Sequence, residues 1–153
     1  MTEYPFDIDY PWVATDKDGF LATFFTGGAG AIPLAALPNM HAASSDLEAA
    51  FLQLPVVSEV NLLVSYPRPD DFVATAERGL FAYDWADVHR IKRDYSGKYE
   101  KVAAPQKPIR IGDLQPFLQV LARRAMINLS FLSADAISIE DNFKPDEFIA
   151  TNS

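Results

Sequence analysis

What catalytic potential this chain has rests on its histidines and acidic residues. Its 153 residues include no cysteine and only two histidines, His41 and His89. Thiol nucleophiles, disulfides and thiolate metal sites are therefore excluded together. The segment "DWADVH" sets Asp84, Asp87 and His89 close together. Two carboxylates beside an imidazole could hold a metal ion or support acid–base hydrolysis. Metal centres use three or four well-placed ligands, however, and no H-x-x-x-H or H-E-x-x-H spacing occurs. The G-x-S-x-G turn of serine hydrolases is also missing. Asp7, Asp9, Asp16 and Asp18 are a second carboxylate group with acid–base potential. "DKDG" is not a calcium loop, because Leu21 and Gly27 stand where an EF-hand needs glycine and glutamate. Turn-forming aspartates account for it with less.

Glycines 27, 28 and 30 in "FFTGGAGAIP" pose the question of phosphate binding. A P-loop requires a following lysine and hydroxyl, and a dinucleotide fingerprint must open a helix. Here Pro33 and "LAALPNM" follow instead. The pattern predicts a bend at a strand end, with glycines supplying positive φ or close backbone approach.

Charge narrows the partners. The net charge is −8, which disfavours nucleic acid and anionic membranes and favours a cationic partner. The distribution is uneven. Glu3, Asp7, Asp9, Asp16 and Asp18 face only Lys17, and Asp135, Glu140, Asp141, Asp146 and Glu147 face only Lys144. Between these ends, Arg90, Lys92, Arg93, Lys98, Lys101, Lys107 and Arg110 outnumber Asp94 and Glu100. Aromatic residues interleave with this basic middle as in single-strand binders, but the ribonucleoprotein motif is lacking. No apolar run approaches the ~20 residues of a membrane span. The start "MTEYPFDIDYPW" has no basic-then-apolar leader pattern. A cytoplasmic protein without metal or cofactor is expected.

The elements that must position these residues follow from periodicity. Trp12 to Thr15 and Phe20 to Thr26 read as strands joined at Gly19, the second apolar on both faces and so inside a sheet. Ser45 and Glu48 form a capping box for a helix over about 46–54, which Pro55 ends. "VNLLVSY" reads as a strand, with a short helix over 57–64 as the alternative. "PDDFVATAERG" reads as a helix with carboxylates at its start. "LFAYDW" and "YEKVAAP" read as a hairpin. In "GDLQPFLQVLARR", Leu114, Phe117, Leu118, Leu121 and Ala122 share one helical face, with Pro116 in the first turn. "INLSFL" and "AISIE" alternate as two short strands. These pieces predict one α+β domain over 1–153, a mainly antiparallel sheet with two to three helices packed on it. Residues after about 145 are expected to form a loose tail.

The order of "DYPWVATDKDGFLATFFTGGAGAIP", "ERGLFAYDW" and "YEKVAAPQKPIRIGDLQPFLQVLARR" resembles small, poorly characterised bacterial proteins similar to immunity proteins of polymorphic toxin systems. The shared motifs are structural, so the resemblance carries over no catalytic residue. It implies a non-enzymatic cytosolic binder that occludes a partner toxin with a cationic face. The acidic patch would come from Asp7, Asp9, Asp16 and Asp18, or from Glu140 and Asp141. Tyr10, Trp12 and Trp85 are the aromatic anchors it offers, although Trp12 also suits a core. The alternative is a small hydrolase or metal-dependent enzyme using Asp84, Asp87 and His89.

Overall fold

The computed structural model describes residues 10–37, 49–65, 69–86 and 97–150. β1 (Trp12–Thr15) and β2 (Leu21–Phe25) form the expected antiparallel hairpin. Gly19 takes φ +88° at the turn, a conformation that costs glycine little. β2 lies inside the sheet: β1 flanks it on one side, and β5 (Phe81–Ala86) pairs parallel to it on the other. β5 continues antiparallel into β6 (Lys98–Pro105). Beyond β6 come β4 (Val60–Leu62) and β7 (Ala136–Ile137), both antiparallel and side by side on its far edge. The main sheet thus runs β1-β2-β5-β6-β4, with β7 against the other end of β6. Every pair except β2–β5 is antiparallel, and the architecture is the α+β class that the sequence predicts. "VNLLVSY" is resolved as strand rather than helix, through β4.

Both faces of the sheet are covered. One carries the helices α1 (Asp70–Glu77) and α2 (Pro116–Ala122). Ala76 and Phe72 of α1 pack on Phe25, Ala82 and Val102, while Leu118 and Ala122 of α2 pack on Val13 and Leu21. Residues 49–52 are helical and bring Phe51 to the same face; the Ser45–Glu48 capping box lies outside the described residues. Asp70 and Asp71 sit in the first turn of α1, where carboxylates favour the helix dipole. The α2 face is narrower than the sequence pattern implies. Leu114, Leu118 and Ala122 are buried and Leu121 is half-buried, but Phe117 is 66% exposed. It stands about 100° round the helix from Leu118, at the edge of a seven-residue helix that touches the sheet along one line.

The other face is aromatic. Trp12 stacks on Phe24 at 4.2 Å between ring centroids, and Phe24 stacks on Tyr83 at 5.0 Å. The three are cross-strand neighbours in β1, β2 and β5. Tyr99 and Phe131 close the stack edge-on at 5.1 and 6.0 Å from Phe24. Tyr99 accepts a hydrogen bond from Trp12 Nε1 (3.2 Å) and donates to the Ala31 carbonyl (2.7 Å). The glycine bend turns beneath it. Gly27 and Gly28 have φ +58° and +80°. A Cβ on Gly30 would lie 2.5 Å from the Tyr99 hydroxyl, so this glycine exists for close approach.

Residues 125–137 form a strap over the aromatic face. It starts at the outer edge of β1, where Thr15 N donates to Ala125 O (3.0 Å) and Ile127 N to Thr15 O (3.0 Å). It ends at β6, where Lys101 N donates to Asp135 O (2.8 Å). "INLSFL" is therefore not a strand. Its alternation is real, with Ile127 and Phe131 buried, but its backbone turns at Ser130 to Ala134 instead of pairing as a ladder. "AISIE" keeps only β7, because Ser138 caps α3 (Ile139–Asn142). Nor are the residues beyond 145 loose up to Ile149. β8 (Phe148–Ile149) pairs with β3 (Ile32–Pro33), and Leu34 N donates to Glu147 O (2.8 Å). No helix among the described residues is long and apolar enough to cross a membrane.

Adjacent positions on α2 test this packing. Leu118→Asp buries an unpaired carboxylate and should abolish cooperative folding, at a cost of several kcal/mol. Phe117→Asp should shift stability by less than about 0.5 kcal/mol. Urea melts of both variants measure the difference, and equal midpoints would contradict the orientation of α2.

Candidate functional site

The expected N-terminal acidic patch divides on inspection. Asp16 is 1% exposed, and its carboxylate is occupied by backbone. Oδ1 accepts from the N–H of Asp18 and of Phe20, both at 2.9 Å, and Oδ2 accepts from Phe131 N at 2.8 Å. A carboxylate holding three N–H groups fixes a turn and is closed to a partner. Tyr10 is buried as well, its hydroxyl donating to Ala36 O at 2.9 Å. Both residues are corrected from binding to structural roles. Trp12 belongs to the core, as the aromatic stack requires. Asp18 is exposed. Asp7 and Asp9 lie outside the described residues. Trp85 is half-buried, edge-on to Tyr99 at 5.1 Å.

Asp18 lines an open groove of about 660 Å³ with Phe20, Arg110 and Asp113. The Arg110 guanidinium lies over the Phe20 ring at 4.6 Å, and Arg110 N donates to Asp113 Oδ2 at 2.9 Å. The groove therefore has a pinned cation between carboxylate-bearing rims, suited to polar side chains of another molecule. A second hollow, lined by Phe51, Thr75, Arg78 and Leu80, has about 10 Å³ of space, about enough for one water.

The C-terminal acidic residues stay at the surface. Asp135, Glu140, Asp141, Asp146 and Glu147 are all exposed, with Lys144 as the one cation among them. Glu140 and Asp141 occupy the first turn of α3, and Asp141 N donates to Ser138 Oγ at 3.3 Å. Leu132, 57% exposed, lies just upstream on the strap.

Of the triad considered for hydrolysis, Asp84 is buried in β5, while Asp87 and His89 lie outside the described residues. Asp84 stands opposite Glu100 on β6, and both are about 6% exposed. Both residues have interaction partners. No group of three or more His, Cys, Asp or Glu able to hold a metal occurs among the described residues.

Sequence reasoning missed three features. Glu100 and Lys101 belong to the basic middle of the sequence, yet both are buried. Burial lowers the Lys101 pKa, the Asp135 charge opposes that shift, and its ammonium sits 5.2 Å over the Phe81 ring. The alternation of "YEKVAAP" against Tyr99 places Lys101 on the aromatic face, the one signal that could have found it. Asp113, the second acid of the groove, follows Gly112 in a turn and carries no motif.

Asp16→Ala should remove the acceptor of three N–H groups, two belonging to buried residues, and lower stability by about 3 kcal/mol or more. Asp18→Asn should leave the thermal midpoint unchanged, and scanning calorimetry of the two separates turn anchor from surface charge. Alkaline pH gives another check. Burial pushes the Tyr10 hydroxyl up to about 12 against a small opposing pull from Arg124. Tyr83 is raised further, by burial first and then by Asp135 and Asp16. Above pH ~10 the unfolded chain releases protons that the fold retains, so stability falls as pH rises from about 10 towards 12. Denaturation midpoints should drop across that window, less steeply in Tyr10→Phe.

No protein-family model matches the chain, and no characterised protein or solved structure proves similar to it.

Proposed function

We propose that this protein is a non-enzymatic, protein-binding domain that acts in the cytoplasm and inhibits a cationic partner by covering it, in the manner of immunity proteins of polymorphic toxin systems. The observation that carries this reading is the exposed acidic segment. Five carboxylates between Asp135 and Glu147 face solvent beside a single lysine. Glu140 and Asp141 sit in the capped helical turn, and Asp135 and Glu147 directly precede β7 and β8, where their carbonyls accept from Lys101 N and Leu34 N, so the backbone at these positions is fixed. A fixed patch of one sign accelerates encounter with the opposite sign and rejects like-charged competitors. Asp18 and the groove beside Arg110 add a recess for a polar side chain of the partner. Glu140, Asp141 and Asp18 remain the binding residues in this reading, with Trp85 as a half-covered aromatic at the end of β5.

A toxin reading frame beside the gene supplies the test. Co-expression of that toxin with the wild-type chain should restore growth. Glu140→Lys with Asp141→Lys should weaken purified complex formation by about tenfold or more at 0.15 M salt, chiefly through slower association. The double variant should melt as the wild type does, because both side chains are exposed. Full protection and unchanged association by the double variant would refute the acidic surface as the contact.

A further inference from the structure

We infer that β4 is the pairing edge for a second copy of this chain, related to the first by a two-fold axis through Asn61. β4 ends the main sheet, and among the described residues no strand pairs with its outer side. The opposite edge of the sheet, along β1, is met by the strap at Thr15. Asn61 stands opposite Ala104 of β6, Gln106 N donates to Glu59 O (2.9 Å), and Leu63 N donates to Val102 O (2.9 Å). Glu59, Asn61 and Leu63 thus turn their backbone groups inward. In an antiparallel ladder the intervening residues, Val60 and Leu62, then direct N–H and C=O outward. Leu62 itself and the neighbouring Val56, Val57 and Leu63 are 43 to 58% exposed. Residues 56–65 contain no lysine and no proline, the devices that ordinarily block strand addition.

The edge is complementary to itself. Antiparallel pairing centred on Asn61 sets Val60 opposite Leu62 of the second copy, so both outward-facing residues gain a full set of ladder bonds. Charge permits the same register. Glu59 is the one charged residue in 56–65, and it falls opposite Leu63 of the copy, so no like charges meet. The acidic segment is kept away. Ala136 pairs with Glu100 and Asn61 with Ala104, which separates β7 from the axis by roughly 13 Å along β6. The two-fold places the second acidic segment on the other side of that axis. Their separation exceeds the ~8 Å Debye length of physiological salt. For copies that each carry −8, pairing at this edge keeps the two acidic segments from facing each other. A ladder of this length with four apolar side chains per copy buries less than about 1,200 Å², the range of weak and reversible association.

The absence of native cysteine makes one introduced thiol decisive. At the axis, Asn61 meets itself in a non-hydrogen-bonded pair, about 4.5 Å between Cα atoms and within disulfide reach. Asn61→Cys should therefore oxidise to a covalent dimer about tenfold or more faster than Glu59→Cys, whose thiol faces Leu63. In sedimentation velocity the wild type should shift from monomer to dimer between about 10 µM and 1 mM. Asn61→Lys and Asn61→Asp should each stay monomeric, and an equimolar mixture should recover the dimer. Circular dichroism confirms that each variant is folded. A wild type that stays monomeric throughout, equal oxidation of the two cysteine variants, or a dimer indifferent to Asn61→Lys would each overturn the inference. It stands apart from the acidic-surface reading, since Glu140→Lys with Asp141→Lys leaves this edge untouched.

Discussion

The buried Asp16 carboxylate is the constraint on which the rest of the fold depends. One side chain, 115 positions from its farthest partner, joins the β1–β2 turn to the strap. Two of its bonds shape the turn, and the third draws Phe131 down onto the aromatic stack. Burying a charge is unfavourable unless hydrogen bonds replace its water. Here three N–H donors do so, and such charge-assisted bonds are about twice as strong as neutral ones. The arrangement is conditional on both ends. The turn alone leaves Oδ2 without its buried donor, and the strap alone leaves Phe131 N buried without an acceptor. Each segment is therefore stable in place only when the other is formed.

From that anchor the aromatic face follows. Phe131 can lie against Phe24, Phe81 and Tyr83 because its backbone is held at the rim. Tyr83 reaches the strap in return, donating to Ala134 O at 2.6 Å. Tyr99 then acts as the polar centre of an apolar layer, bonded to Trp12 on one side and to Ala31 on the other. Its hydroxyl occupies the space where a side chain at position 30 would project. The glycine-rich segment is thus shaped by a tyrosine from a distant strand. Its N–H groups turn inward, with Ala29 and Gly30 both bonded to Thr26 O, and a phosphate cradle would need them free.

Local patterns were legible where one interaction decides the outcome. Trp12 to Phe25 alternates and turns on a glycine, and the β5–β6 hairpin and the Pro116 start of α2 have equally local causes. The misreadings share a physical origin. Phe117 satisfies the helical period but lies beyond the narrow line along which α2 meets the sheet. Ile127 and Phe131 alternate like a strand, yet their backbone is bonded to β1 and to Asp16. β8 is two residues long and exists only because β3 lies beside it. Acidic residues at turns are counted as solvated by default. Nothing within a few positions of Asp16 announces that Phe131 N will need an acceptor. The candidate surface was half legible: Glu140 and Asp141 are exposed, though on a helical turn instead of a strand, and Tyr10 and Asp16 are inside.

Burial of charge also redraws the electrostatic map of the molecule. Asp16, Asp84, Glu100 and Lys101 are interior, so none of them can meet a partner's side chain directly. Removing Asp16 thins the N-terminal acidic group to Asp18 within the described residues. Removing Lys101 and Glu100 weakens the alternation of sign along β6. The Asp135–Glu147 segment loses nothing, and keeps five exposed carboxylates against one lysine. Its backbone is tied at β7 to β6 and at β8 to β3, so these carboxylates cannot spread apart to relieve their mutual repulsion. A patch held together against its own repulsion gains more from a cationic surface than the same charges on a free chain, because the repulsion is already present before contact. Fixed backbone and concentrated charge together make this segment, rather than the net charge alone, the physical basis of the binding proposed above.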